Sequence, residues 1–214
     1  MLERLFGTKR SVLVEAAFGD VSKMLRQSLK MMDLATAALL ENQPLDADMD
    51  SLDDTVDQGE RMVRRSVLEH LSFNPQQDLV ASLVLLSIVH DAERIGDFAR
   101  GLTTLVPLAR SRREGPFADG LRAFAQRVRA LFTLCEEGFL RDDRSKARSV
   151  VEQVEKLKVD LHQFVVDLAA SDLTADMAVV YFGANQMLRR MASHLGNIAS
   201  TVVQPFDRIQ HTDE

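Results

Sequence analysis

The sequence predicts an all-α protein of six long antiparallel helices, arranged as two tandem three-helix bundles. Apolar residues recur at helical spacing, as at Val56, Val63 and Val67, and this period is typical of amphipathic helices. Only 10 Gly and 5 Pro occur among 214 residues, so few turns are available and the elements must be long. No stretch shows the sustained alternation of apolar and polar residues that indicates a half-buried strand.

Turn signals divide the chain into six predicted helices. Their approximate spans, in order, are 12–41, 46–71, 75–110, 117–141, 142–170 and 171–203. We assign Asn74 as the N-cap of the third helix and Pro75 as its first residue, because these residue types favour those two positions. Helices near 30 residues exceed the globular average and suit an elongated bundle.

A polar segment with Gly and Pro, residues 111–116, separates the two groups of three helices. We therefore predict a first bundle over 1–110, a linker over 111–116 and a second bundle over 117–214. Equal helix numbers on both sides suggest an internal duplication. A shift of 96 residues lays the third helix weakly on the sixth and places Glu93 against Arg189.

Composition and charge exclude several classes of protein. A protein that binds nucleic acid requires a basic stripe. The chain has a net charge of −6, and no basic stripe of adequate size is present in the sequence. Cys135 is the only cysteine and lies in an apolar run, so we predict a buried thiol and no disulfide within the chain. The longest apolar-rich run, 79–89, is too short to span a bilayer. We expect a soluble, intracellular protein that is at most peripheral to a membrane.

Carboxylates form two rows on the second and third helices. Glu93 and Asp97 are four residues apart and share one helical face, with His90 three residues before Glu93. Acids also recur every three or four residues along the second helix. Two such rows on adjacent helices are what a carboxylate-rich metal site requires. The candidate metal ligands are Glu93, Asp97, Asp54, Asp57 and Glu60, with Asp53 as an alternative to Asp54.

The expected cofactor is a divalent or trivalent metal ion. Oxygen ligands alone favour Mg, Ca or Mn, whereas an added imidazole admits Fe or Zn. The simpler interpretation is that these acids are solvated and pair with nearby arginines. Gly96 lies between Glu93 and Asp97, and it indicates either close helix packing or room for an ion beside the carboxylates.

No local signature of a catalytic triad, a phosphate-binding Gly loop or a dinucleotide site is present. We therefore predict a protein that is not an enzyme and acts by binding partners. Two alternatives stay open. One is a carboxylate-metal phosphohydrolase, and the other is an accessory subunit of a membrane carrier with a structural role only.

The motif from Glu93 to Asp97, of sequence Glu-Arg-Ile-Gly-Asp, resembles the acidic E/D-x-x-x-D motif of the PhoU family. The acidic segment 54–60 and the break at Asn74-Pro75 also resemble the first PhoU repeat in order and spacing. The resemblance covers about 14–206. It implies a duplicated pair of three-helix bundles in which the acidic motifs can hold metal clusters.

The resemblance also implies a cytoplasmic negative regulator of phosphate uptake and phosphate signalling. Its implied partners are a phosphate-transporter ATPase and a sensor histidine kinase, or a phosphate carrier, and we expect a homodimer.

The second half departs from the family motif. Arg189 stands where the motif has Glu, and Ser193 where it has Asp. We therefore expect metal in the first half only. Our hypothesis for the second half is that the Arg189 guanidinium replaces the missing cation by pairing with an acid of the fifth helix, namely Glu155. This departure also fits a branch of PhoU-like proteins that accompany sodium- or proton-coupled phosphate carriers.

Overall fold

The computed structural model describes residues 11–204. Within this range the chain forms six α-helices, a short 3₁₀ helix and no strand. The α-helices are α1 (Val12–Leu40), α2 (Met49–Phe73), α3 (Leu79–Thr103), α4 (Pro116–Leu140), α5 (Arg144–Ala169) and α6 (Ala175–Val203), and the 3₁₀ helix is Val106–Leu108. The predicted all-α fold of two tandem three-helix bundles is confirmed. The division into domains at residues 110 and 117 stays a prediction.

The six helices pack in two sets of three. α1, α2 and α3 contact one another and form the first bundle, and α4, α5 and α6 form the second. α3 also packs along α6, and α1 packs against α4. Buried apolar residues from both bundles therefore belong to one continuous hydrophobic core. None of the helices within the described range is long and apolar enough to cross a membrane.

The third helix differs from its prediction at both ends. Asn74 is the C-cap of α2, since its backbone N–H donates to the His70 carbonyl at 2.8 Å. Turns follow, and α3 begins at Leu79 rather than at Pro75. Its far end is Thr103 rather than residue 110, and Pro107 lies in the following 3₁₀ helix. Proline lacks a backbone donor and cannot continue an α-helix.

The start of α1 is tied to the turn before α3. The Ser11 hydroxyl accepts the Val14 N–H, which is an N-cap contact. The Ser11 backbone N–H donates to Asp78 Oδ2 at 2.8 Å, and Ser11 Oγ lies 3.2 Å from His70 Nδ1. His70 Nε2 lies 2.8 Å from the Gln77 carbonyl and so donates to it. These contacts fix the turn between α2 and α3 against the start of α1.

Arginines satisfy the carbonyls at the other end of α1. Arg113, in the segment between the bundles, donates to the Leu39 carbonyl at 2.6 Å and the Ala38 carbonyl at 3.0 Å. Arg122 of α4 donates to the Leu40 carbonyl at 2.6 Å. The last carbonyls of a helix have no partner within it, so these two side chains replace water there. We call this group the α1 C-terminal clasp.

Candidate metal centre

Glu60, His90 and Glu93 form one cluster of candidate ligands between α2 and α3. One ligand atom from each lies within 4.8 Å of the others. His90 Nδ1 is 3.5 Å from Glu93 Oε2 and 3.7 Å from Glu60 Oε1. His90 and Glu93 are three residues apart, so α3 presents both on one face, and α2 supplies Glu60 from the adjacent row. No other such group occurs within residues 11–204.

The electrostatics of this cluster favour a cation. Glu93 Oε2 is buried and has no hydrogen-bond partner. Burial, followed by the charges of Asp97 and Glu60, raises the pKa of Glu93 to about 7. A buried carboxylate oxygen without a donor is costly, and a bound cation would remove that cost.

Two carboxylates and one imidazole suit Zn, Fe or Mn. The residues present therefore fit a metal ion. His90 is 53% exposed in its side chain, so a coordination position on that side is open to water. One competitor is Arg64, whose Nη2 lies 2.8 Å from Glu60 Oε1. The Arg64 side chain is itself 53% exposed and can turn away into solvent.

The other predicted ligands lie outside this cluster. Asp97 pairs with Arg94 at 3.2 Å and with Arg100 at 3.4 Å. Asp57 pairs with Arg61 at 3.5 Å. Asp54 is exposed and shares no hydrogen bond or ion pair with another described residue. The structure thus brings together Glu60 and Glu93 from the predicted set and leaves out Asp97, Asp57 and Asp54.

Arg100 is a residue that the sequence argument missed. It lies 2.9 Å from Asp53, and it also contacts Asp50 and Asp97. Asp53, rather than Asp54, is the buried acid at this level of α2. The Arg100 guanidinium therefore already neutralises the acids of the two rows that lie near it, namely Asp50, Asp53 and Asp97. The spacing of three residues between Asp97 and Arg100 was the available signal.

Gly96 marks close packing rather than space for an ion. A Cβ at this position would lie 3.2 Å from Val56 Cγ1 and 3.4 Å from Ser28 Oγ. The absent side chain lets α3 approach both α2 and α1. This approach brings the Glu93 face of α3 close to Glu60.

The second half contains no equivalent cluster within the described residues. The structure does not pair Arg189 with Glu155. Glu155 is exposed and pairs with Lys158 at 2.9 Å. The physical reason is its place on α5, where the neighbouring Val154 and Leu157 face the core.

Residues near the missing second motif instead link the two bundles. His194 Nδ1 lies 2.7 Å from Asp91 Oδ1, and the Asn197 amide donates to the same oxygen at 2.8 Å. All three side chains are buried. Asp91 belongs to α3, so a carboxylate of the first bundle is held by two residues of α6. We call this group the Asp91 link.

The fold and the site define a two-bundle helical protein with an acidic, imidazole-containing cluster between its second and third helices. Residues 21–104 match the family model of the PhoU domain. The resemblance to PhoU seen in the sequence is therefore confirmed, and the family match lies within the first bundle.

Two solved structures share the fold over most of the chain. PhoU from Pseudomonas aeruginosa has 21% identity and a TM-score of 0.82, covering 89% of this chain and 95% of that one. The phosphate transport system regulatory protein PhoU from Streptococcus pneumoniae has 16% identity and a TM-score of 0.76, covering 88% and 92%. The comparison with curated proteins gives no match.

Proposed function

We propose that this protein is a cytoplasmic regulator of phosphate transport that works by binding partners and not by catalysis. The observation that supports this most strongly is the PhoU fold along nearly the whole chain, together with the PhoU domain over residues 21–104. One structure of this fold belongs to a regulatory protein of a phosphate transport system. The proposed partners are a phosphate-transporter ATPase, a sensor histidine kinase or a phosphate carrier, and the proposed assembly is a homodimer.

We further propose that Glu60, His90 and Glu93 hold one metal ion in the first bundle. The unpartnered Glu93 oxygen and the mixed carboxylate and imidazole donors support this. The ion would supply positive charge that joins α2 to α3 at the surface. Its role in this proposal is structural, because it fixes the shape that a partner contacts.

Phosphate uptake in cells tests the regulatory proposal. We expect deletion of the gene to raise the initial rate of radiolabelled phosphate uptake in phosphate-rich medium, and the wild-type gene to restore it. Chemical crosslinking of the tagged full chain is expected to recover a transporter, carrier or kinase component. Unchanged uptake after deletion, with none of these components crosslinked, would refute the proposal.

A metal-dependent phosphohydrolase is the second candidate, because three ligands leave open coordination positions. Purified protein loaded with Zn²⁺, Mn²⁺ or Fe²⁺ should be assayed against a chromogenic phosphate monoester. Turnover that disappears in Glu93→Gln would favour the enzyme. A structural accessory subunit predicts a different result, namely normal uptake control by a metal-free Glu93→Gln protein.

A further inference from the structure

A cleft between α3 and α6 is lined by cationic and aromatic side chains. Its volume is about 340 Å³, and its lining residues are His90, Arg94, Phe98, Arg190 and His194. None of them is acidic, although the whole chain carries a net charge of −6. A cleft lined by one sign of charge concentrates ions of the opposite sign. The cleft is therefore suited to an anion.

Arg190 is the cation in this cleft that has no acidic partner. Its guanidinium carbon lies 5.5 Å from the centre of the Phe98 ring. No carboxylate within residues 11–204 lies within ion-pairing distance of it, whereas Arg100 nearby pairs with Asp53 and Asp97. A guanidinium stacked on a ring keeps its N–H edge free for a planar, bidentate acceptor.

His194 adds a second oriented group. Its Nδ1 lies 2.7 Å from the buried Asp91 carboxylate, which can only accept, so Nδ1 carries the hydrogen. Its ring stacks on Phe98 with centroids 5.5 Å apart and an interplanar angle of 26°. Both contacts fix the ring. Nε2 of this tautomer is an acceptor, so it can receive the hydrogen of a protonated phosphate oxygen. A carboxylate behind an imidazole is a common support of ligand-binding histidines.

Arg94 supplies a guanidinium from α3. It donates Nη1 to Asp97 at 3.2 Å, and its Nε lies 3.4 Å from His90 Nε2. These contacts use Nε and Nη1 of the guanidinium, and the side chain remains 46% exposed. The cleft thus combines guanidinium groups from two helices with one oriented imidazole.

We propose that the α3–α6 cleft binds a phosphate group in solution, either inorganic phosphate or the phosphate of a small ester. Arg190 is the principal bidentate donor and Arg94 is a second donor, while His194 Nε2 accepts the P–OH hydrogen of a singly protonated phosphate. Arginine is favoured where phosphate is recognised through two parallel N–H donors. The proposal rests on the cleft alone and requires neither the regulatory function nor the metal ion.

Calorimetric titration of the full chain with inorganic phosphate, and separately with glycerol 3-phosphate, tests this site. We expect saturable binding of one anion per chain. Arg190→Gln should weaken the binding by about tenfold or more, because it removes charge-assisted hydrogen bonds. Arg148→Gln is the matched control, since Arg148 is exposed on α5 and has no ion pair with a described residue. It should leave the dissociation constant unchanged.

The two ligands separate the two sources of phosphate. Tighter binding of inorganic phosphate assigns the free ion, and tighter binding of glycerol 3-phosphate assigns an ester. Either order supports the proposal when Arg190→Gln weakens it and circular dichroism shows both variants folded. The absence of a heat of binding with either ligand up to about 10 mM overturns it. Such a result means that the binding free energy is weaker than about −3 kcal/mol. Equal affinity in wild type and Arg190→Gln also overturns it. Neither failure bears on the uptake experiment.

Discussion

At the scale of single residues, Glu93 and Asp97 have different environments although they share a helical face. Glu93 turns a buried oxygen without a donor toward Glu60 and His90. Asp97 is occupied by Arg94 and Arg100. Two acids of one motif therefore have different neighbours in this structure. Asp97 pairs with two arginines, whereas Glu93 has one arginine, Arg94, at 4.0 Å and lies where the proposed cation would bind.

This difference predicts the outcome of a paired substitution. Glu93→Gln should lower affinity for Zn²⁺ or Mn²⁺ by at least about tenfold, since changes outside the ligand shell already cost about 10- to 100-fold. Asp97→Asn is the matched control and should retain the metal. Elemental analysis after dialysis against each metal gives the stoichiometry. Equal metal content in wild type and Glu93→Gln would contradict the assignment.

Cys135 provides a second prediction at this scale. The thiol is fully buried and directs its sulfur at the Leu195 carbonyl, 3.4 Å away. Burial raises its pKa well above the usual range, so the reactive thiolate is scarce. Native protein should react with a disulfide reagent at least about tenfold more slowly than protein in 6 M urea, because reaction waits for opening of the chain. Comparable rates in both conditions would place the thiol at the surface.

Spacing along one helix predicted part of the site. It placed His90, Glu93 and Asp97 on one face, because residues three and four apart are neighbours on a helix. It did not show which acid of α2 faces them, since one residue of register turns a side chain by about 100°. That is why Asp53 faces α3 where Asp54 was preferred. Spacing along one helix also does not show which acids already form ion pairs with arginines of the chain.

At the scale of helices, the boundary between α2 and α3 differs from its prediction. The sequence identified Pro75 as a helix start, but Asn74 closes α2 and Asp78 precedes α3 in a left-handed conformation with φ of 52°. Local preferences at Asn74 and Pro75 fit a start and a stop equally well. Contacts from Ser11 to Asp78, 67 residues apart, decide between them, and no local pattern contains that information.

The α1 C-terminal clasp gives a prediction at this scale. Arg113→Ala leaves the Ala38 and Leu39 carbonyls without their donor, so unfolding free energy should fall by about 1–3 kcal/mol. Arg112→Ala is the neighbouring control, because the Arg112 side chain is 80% exposed, and it should change stability by less than about 0.5 kcal/mol. Urea titration followed by circular dichroism measures both. Equal effects of the two substitutions would show that the clasp contributes nothing specific.

At the scale of the whole molecule, the two bundles share one core. Helical periodicity and turn residues were enough to predict six helices in two sets of three. They could not predict that α3 lies along α6 and α1 against α4, because both contacts join residues that are far apart in sequence. The Asp91 link lies at the contact between α3 and α6. The sequence shows its three residues but not that they meet.

The Asp91 link predicts that the bundles unfold together. The chain has one tyrosine, Tyr181, and no tryptophan. Tyrosine fluorescence therefore reports the second bundle, where Tyr181 is buried. Asp91→Ala, a change in the first bundle, removes the shared acceptor of His194 and Asn197 and should lower stability by about 1–3 kcal/mol. It should move the tyrosine transition and the circular dichroism transition by the same amount.

Asp54→Ala is the control for this experiment, because Asp54 is an exposed acid of the first bundle. It should leave both transitions in place. A tyrosine transition that stays fixed in Asp91→Ala while the dichroism signal moves would show that the bundles unfold separately.

The same link has a consequence for the chain during its synthesis. Asn197 follows Asp91 by 106 residues in the sequence. At 5–20 residues per second, the ribosome adds Asn197 roughly 5–20 s after Asp91. Until then the Asp91 carboxylate of a nascent α3 lacks these two donors, and burying it without them is costly. The α6-facing side of the first bundle therefore stays open on the ribosome until α6 has been synthesised.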